Sequence, residues 1–153
     1  MVKAVVEGDL FRPDGVYLNL PGVAVVTWDA TSMAVHFEWQ GWANSTELVE
    51  LLEAGLRALT EHHASRWLAD CRNMKAIKQA DQDWIGRMWI PRALAAGLTR
   101  MAVVTPKSGL AAMNISDIVG RVPGTMLDVA HFATVEAARD WLTRPATSPP
   151  TAR

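Results

Sequence analysis

The chain has 153 residues and a net charge of −1, and half of its residues are hydrophobic while a fifth are charged. This composition is typical of a single soluble globular domain that buries a core, and it excludes a largely disordered chain. The sequence also has no basic stripe that would indicate a nucleic-acid partner, no apolar run of the roughly 18 residues that a membrane helix needs, and no secretion signal in its first residues.

Three short strands are predicted near the start of the chain. The run VYLNL follows a predicted RPDG turn and stops at a Pro-Gly pair. The runs VAVVTWD and AVHFEWQ flank ATSM, and their β-branched and aromatic residues predict an antiparallel hairpin. In the second run apolar and polar residues alternate, which predicts one buried face and one solvent-exposed face. The predicted buried set is Val35, Phe37 and Trp39, and the predicted exposed set is His36 and Glu38.

A strong amphipathic helix is predicted next. Asn44 can cap its first turn, and Glu47, three residues later, completes a capping box. Leucines at the helical spacing form one apolar stripe, which consists of Leu48, Leu51, Leu52, Leu56 and Leu59. His62 and His63 follow near the helix end. Because adjacent side chains point to different sides of a helix, we expect no metal site there.

Strands and helices alternate through the second half of the chain. The runs RWLADC, RMAVVTP and TMLDVAHF predict strands. The runs DQDWIGRMWIPRALAAG, SGLAAMNISDIVGR and TVEAARDWLT predict helices, the first ended by Gly97 and the last capped by Thr134. This order indicates an α/β fold: a small mixed β-sheet with an N-terminal antiparallel hairpin, a parallel centre and helices mainly on one face. We expect one domain over residues 1–143 and a disordered tail over residues 144–153.

The polar loop after the RWLADC strand is the first candidate for chemistry. Asp70 and Arg72 lie at the carboxyl end of a predicted parallel strand, the edge where open α/β sheets tend to bind ligands. Cys71 is a candidate thiolate nucleophile, but no histidine is close in sequence, so we interpret it as a partly buried strand-end residue. As the only cysteine it excludes an internal disulfide and suits a reducing cytoplasm. For the charged residues we favour a structural ion pair between Arg72 and Asp81 across the loop.

The tryptophan-rich helix after this loop carries more apolar residues than one side of a helix usually buries. Pro91 removes a backbone hydrogen bond and predicts a kink, which can turn two apolar sets toward one core. The alternative is that one set covers a protein partner or a second copy of the chain, or lines a pocket. The candidate interface or pocket residues are Trp84, Met88, Trp89, Ile90 and Leu94.

The stretch from the RWLADC strand to the RMAVVTP strand resembles the SpoIIAA-like family, which is related to the STAS domains of anti-sigma-factor antagonists. The closing HFATVEAARDWL is similar as well, so the likeness covers roughly residues 23–142. It implies a small mixed sheet with helices packed mainly on one face. The residues that carry the central resemblance are Asp70, Arg72, Asp81, Trp84, Trp89, Pro91, Arg92, Ala96, Gly97, Val104 and Pro106.

The resemblance also implies a mode of regulation that this chain lacks. The antagonists bind a partner kinase and are switched by phosphorylation of a serine at the start of the helix after this loop. No Ser or Thr lies between Cys71 and Leu98. The likeness therefore implies the scaffold without the phosphorylatable residue.

We therefore expect a non-enzymatic, cytoplasmic, STAS-like binding or regulatory module that acts through protein–protein contacts, as a homodimer or with another protein, and without a cofactor or metal. Two alternatives stay open. One is a binder of a small apolar ligand beside the Trp84–Trp89 helix. The other is an enzyme that uses Asp70, Cys71 and Arg72, although the chain contains no HExxH, GxSxG or GxGxxG motif.

Overall fold

The computed structural model describes residues 15–144, and within them six strands form one sheet whose spatial order follows the chain. The first three strands pair antiparallel, and the third to the sixth pair parallel, which confirms the predicted hairpin and parallel centre. The predicted RPDG turn, apart from Gly15, and the predicted tail beyond Arg144 lie outside the described residues. The strands are β1 (Val16–Leu20), β2 (Ala24–Asp29), β3 (Ala34–Trp39), β4 (Arg66–Asp70), β5 (Arg100–Val104) and β6 (Asp128–Phe132).

Helices follow the third, fourth, fifth and sixth strands, in agreement with the predicted alternation. The capping box of the first helix is confirmed, because the Glu47 N–H donates to Asn44 Oδ1 and the Asn44 N–H donates to Glu47 Oε1. Thr134 caps the last helix as predicted. No helix among residues 15–144 combines the length and the apolar character that crossing a membrane requires. The helices are α1 (Ser45–Glu61), α2 (Gln79–Trp84), a π-helical turn (Ile85–Trp89), α3 (Ile90–Ala95), α4 (Gly109–Val119) and α5 (Val135–Thr143).

Where the sequence predicts a kink, the structure has a π-helical turn, Ile85–Trp89, which ends two residues before Pro91. Pro91 has no N–H to donate, and the N–H of Ile90 bonds to the carbonyl oxygen of Ile85, five residues back. This wider turn joins α2 to α3 within one continuous helical segment. The segment ends at Gly97, whose φ of +116° lies in a region that glycine adopts without strain.

The larger core fills the space between one face of the sheet and the helices α1, α4 and the π-helical turn. The β3 residues predicted as buried, Val35, Phe37 and Trp39, all lie in this core. Trp67 from β4 stacks on Phe37 and meets Trp89 edge to face, so aromatic rings from the sheet and from the π-helical turn form its centre. The leucine stripe of α1 also points into it, with Leu56 the one member that is only partly buried.

The opposite face of the sheet is covered in part by α5, so the expectation of a solvent-exposed face on the hairpin is wrong at His36. Trp141 and Leu142 of α5 pack against β3, β4 and β5 in a second, smaller core. Arg139 of α5 reaches Asp29 at the end of β2, with 2.8 Å between Nε and Oδ2. The His36 ring is shielded beneath this helix because the last helix of the chain returns across the sheet, an arrangement that local alternation does not encode.

Candidate functional site

The carboxyl edge of the parallel strands brings the polar loop residues together, but not in the predicted pairing. Asp70 ends β4 and is buried, and Arg72 folds back onto it with Nε–Oδ1 and Nη2–Oδ2 distances of 2.9 and 2.8 Å. The predicted Arg72–Asp81 ion pair is therefore wrong. Asp81 lies in the first turn of α2, is buried, and accepts a hydrogen bond of 2.8 Å from the Ser45 hydroxyl at the start of α1. Because Arg72 lies only two residues after Asp70, its guanidinium can form two hydrogen bonds to the Asp70 carboxylate.

The ion pair with Arg72 keeps the Asp70 carboxylate ionised. Burial acts to raise its pKa, but the hydrogen bonds and charge of Arg72 outweigh burial, so the pKa of Asp70 lies below its usual value. A carboxylate with a low pKa whose oxygens are both occupied is a poor general base at neutral pH. The pair instead fixes the start of the loop that leaves β4.

Cys71 is buried in the core and is not placed for nucleophilic chemistry. Its side chain has no solvent exposure, and burial together with the nearby Asp70 charge raises the pKa of the thiol to about 12. A thiol with that pKa is neutral at physiological pH, whereas the nucleophile is the thiolate. The strand-end interpretation of Cys71 agrees with the structure.

The five candidate residues of the tryptophan-rich helix do not form one surface. Trp89 and Ile90 are buried, with 2% and 4% of their surface exposed, so their interpretation as exposed interface anchors is wrong. Trp84 and Leu94 are partly buried against the core, and Met88 is the exposed member at 53%. The extra π-helical residue widens the turn here, so Ile85, Trp89 and Ile90 all face inward.

An apolar cavity of about 70 Å³ lies where the sheet, the π-helical turn and α4 meet. Trp89 and Ile90 line it, and Trp84 and Met88 do not. Every one of its lining residues is apolar or is the Cys71 thiol, so the cavity offers no charged or amide group to a ligand. Its walls come from β3, β4 and β5 (Phe37, Trp39, Trp67, Ala69, Met101, Val103), from the helices (Leu52, Ile85, Trp89, Ile90, Ile115, Ile118, Val119) and from loops (Cys71, Met74, Ile77, Leu127).

Buried amides hold the loop that closes this cavity. The Ile77 N–H donates to Asn114 Oδ1 of α4 across 2.9 Å, and Gln82 Nε2 donates to the Ile77 carbonyl across 2.8 Å. Sequence reasoning missed both Asn114 and Gln82, because a polar residue on a helix gives no local sign that it faces a neighbouring loop. Together they satisfy both backbone groups of a loop residue that would otherwise be buried without partners.

The same edge of the sheet carries a basic surface that sequence reasoning also missed. Three loops meet there, residues 40–44, 72–78 and 105–108, and we call them the loop ridge. The Lys75 N–H bonds to the Gly41 carbonyl across 3.4 Å, and the Lys107 N–H bonds to the Arg72 carbonyl across 3.1 Å. Trp42 stands on the first loop with 52% of its surface exposed. The missed signal was that three of the four lysines in the chain occur in two of these loops.

A second buried polar group lies under α5, on the other face of the sheet. Among the described residues, His36 Nε2 is buried without a hydrogen-bond partner. Burial and the positive charge of Arg139 lower the pKa of His36, although Asp29 and Asp70 act in the opposite direction. The imidazole is therefore held neutral in the fold.

The described residues contain no cluster of three or more His, Cys, Asp or Glu side chains arranged to hold a metal ion. Of the two adjacent histidines at the end of α1, His62 stacks flat on Trp28 with 3.9 Å between the ring centres. That contact gives the ring a packing role at the surface of the hairpin.

Comparison with known proteins returns one match. A scan against family models matches residues 34–143 to the SpoIIAA-like family. The matched range runs from β3 to α5 and therefore contains the cavity, the Asp70–Arg72 ion pair and the whole loop ridge. A search of curated proteins and a search of solved structures each find no match.

Proposed function

The chain belongs to the SpoIIAA-like family, and we propose that it is a non-enzymatic regulatory module that binds another protein through the loop ridge. A SpoIIAA-like domain indicates a regulatory or protein-binding module of the STAS type, and such domains are generally not enzymes. We further propose that residues 1–143 form one domain and that the protein works in the cytoplasm.

The observation that carries the proposal is the exposed Trp42. A tryptophan with half of its surface in water forgoes a large burial free energy, and tryptophan is the residue type most enriched among interface hot spots. Its loop is held in place, because Gln40 Oε1 accepts from the Gly22 N–H and the Gly41 carbonyl accepts from Lys75. A surface aromatic on a held loop loses little conformational entropy when a partner covers it.

The state of the three residues named for the enzyme alternative supports the same proposal. Asp70 and Arg72 satisfy each other, and Cys71 is buried with a pKa of about 12. An exposed acid, base or nucleophile is what a catalytic site at this strand end needs. The three residues named for that alternative instead hold the loop and fill the core.

Site-specific photo-cross-linking tests this function. A photoreactive phenylalanine analogue replaces Trp42 in one variant and the exposed Arg57 of α1 in a control variant, and each is irradiated in cell extract. We expect a discrete adduct from position 42 only, which excess wild-type protein suppresses and excess Trp42→Ala protein does not. An adduct of twice the chain mass would identify a second copy as the partner. Equal adduct patterns from both positions, or none from position 42, would contradict the proposal.

A second function is favoured by the cavity, namely binding of a small apolar molecule. The space of about 70 Å³ has only apolar walls and the buried thiol, and dry apolar cavities of a comparable order bind small hydrophobic molecules. The ligand would displace no ordered polar group, so its affinity would come from dispersion and burial.

Native mass spectrometry of the freshly purified protein tests this second function. A co-purifying mass that disappears on denaturation would support it. The matched variant is Ala69→Leu, which fills cavity space from β4 and should abolish the extra mass. A clean apo spectrum, together with no thermal shift in the presence of xenon or benzene, would contradict it.

A further inference from the structure

The positive charge of the described chain is unevenly distributed. All three lysines among residues 15–144, Lys75, Lys78 and Lys107, lie on the loop ridge, and all three are exposed. The three loops contain four basic residues and no acidic one. In a chain whose net charge is −1, basic residues therefore gather in these three loops with no acidic residue among the loop residues.

The lysines are also the uncompensated charges of the ridge. Arg72 is neutralised by Asp70, and Glu38 and Glu136 add further negative charge near it. None of the three lysines forms an ion pair within residues 15–144. Lys107 Nζ donates a hydrogen bond of 3.4 Å to the neutral Asn73 Oδ1.

Apolar side chains border this charged strip at both ends. Trp42 stands on the first loop, and Leu110, 57% exposed, lies in the first turn of α4 directly after the third loop. The backbone bonds from Lys75 to Gly41 and from Lys107 to Arg72 place the loops side by side. The surface thus combines exposed ammonium groups with exposed apolar anchors on a backbone held by hydrogen bonds.

Resting on the proposed function, we propose that the partner docks an acidic segment on the loop ridge, with glutamate or aspartate side chains facing Lys75, Lys78 and Lys107 and apolar side chains covering Trp42 and Leu110. Carboxylates complement these ammonium groups, and such complementarity mainly sets specificity and association rate. Three lysines are few for a nucleic-acid-binding site, because proteins that bind nucleic acid usually neutralise many phosphates. The apolar anchors at the two ends fit a polypeptide with mixed side chains.

Fluorescence anisotropy with a defined probe tests this proposal. The probe is a fluorescein-labelled peptide of about twelve residues in which glutamates flank one leucine and one phenylalanine. A peptide with lysine in place of each glutamate is its counterpart. We expect the acidic probe to bind wild-type protein, to weaken as salt rises, and to bind at least about tenfold more tightly than the basic one.

Two charge-reversal variants locate the binding. Lys75→Glu/Lys107→Glu removes the ridge charge, and Arg57→Glu/Arg87→Glu makes the same change in net charge on exposed helix positions elsewhere. We expect the ridge variant to bind the acidic probe at least about tenfold more weakly and the control variant within about twofold of wild type. Lys75→Arg/Lys107→Arg should retain binding. Equal weakening by both reversals, or no binding of the acidic probe to wild type, would overturn the proposal.

Two further readouts separate this inference from its rivals and from the proposed function. A DNA duplex or anionic phosphatidylglycerol vesicles binding as tightly as the acidic peptide would overturn an acidic protein partner in favour of phosphate. A cross-link from position 42 that persists in the Lys75→Glu/Lys107→Glu background would leave the protein-binding function standing and overturn the acidic partner. Peptide binding without any cross-link from position 42 would overturn the function instead.

Discussion

The indole nitrogen of Trp89 donates a hydrogen bond to the carbonyl oxygen of Leu52, with 3.0 Å between the two atoms. The bond joins the π-helical turn to the middle of α1, and both residues are buried in the larger core. Trp89 also meets the ring of Trp67 edge to face, with 5.0 Å between ring centres. One side chain therefore links two helical segments and the sheet, and it lines the cavity at the same time.

Trp89→Ala is expected to destabilise the domain severely. Truncating a buried tryptophan costs about 3–5 kcal/mol in the free energy of unfolding. Trp89→Phe keeps an aromatic ring and loses the hydrogen bond to Leu52, so a smaller loss of about 1–3 kcal/mol is expected. Urea denaturation followed by circular dichroism measures both. The control is Met88→Ala, one residue away and exposed, which should stay within about 0.5 kcal/mol of wild type. Equal losses at positions 88 and 89 would contradict the assignment of Trp89 to the core.

Gly55→Ala is expected to destabilise the protein although alanine is the better helix former. A Cβ at Gly55 in α1 would collide with the ring of Trp67, and overpacking of a core costs typically about 1–3 kcal/mol. That cost exceeds the gain of about 1 kcal/mol that alanine brings inside a helix. Gly109→Ala at the start of α4 is the matched control, because nothing lies within 4 Å of its added Cβ, and it should be neutral or stabilising. The urea midpoints of the two variants should therefore shift in opposite directions.

The Cys71 thiol is expected to be inert in the native protein. A pKa raised from 9.0 to about 12 lowers its thiolate fraction at neutral pH by a factor on the order of 10³, and burial blocks the reagent as well. Titration with a chromogenic disulfide should give no fast phase at neutral pH, and reaction should appear in urea as the protein unfolds. Native labelling as fast as that of a free model thiol would mean that the strand end opens readily.

Stability is expected to fall as the solution is acidified below about pH 6.5, the usual pKa of histidine, because of His36. Its pKa is lowered in the fold, so the unfolded chain takes up the proton first as the pH drops. The stability that the neutral His36 ring contributes is complete above the pKa that His36 has in the unfolded chain. It is lost as the pH falls through the lower pKa of His36 in the folded protein. The charged groups near the His36 ring are Arg139 from α5, Asp29 from β2, Asp70 from β4 and Glu38 from β3, the strand of His36 itself.

The His36→Leu variant isolates this effect. Leucine removes the titrating group and the buried Nε2 that lacks a partner among the described residues, so stability at neutral pH should be kept or raised. The fall in urea midpoint from about pH 7.5 to about pH 5 should be smaller in this variant than in wild type. The control is His131→Gln, which changes an exposed histidine. A fall of equal size in all three proteins would assign the acid sensitivity to other groups.

The order and type of the elements could be predicted from the sequence because they depend on local patterns. Alternation in AVHFEW, the leucine spacing of α1 and the Asn44–Glu47 capping box each act over a few residues. The same locality explains why parallel pairing followed from the alternation of strands with helices, whereas the SpoIIAA-like fold was implied by a resemblance to that family. Short-range hydrogen bonding and burial of one face leave few other arrangements for such a pattern.

What the tertiary structure alone decided is which side chains meet. The sequence could not show that Arg72 would pair with Asp70 and leave Asp81 to Ser45, because the partner of Arg72 depends on the course of the loop after β4 and on where α2 packs. Nor could it show that the π-helical turn would bury Trp89 and leave Met88 in solvent, since one extra residue in a turn rotates every side chain that follows. Contacts between segments distant in sequence are set by the packing of whole elements, and local periodicity does not determine that packing.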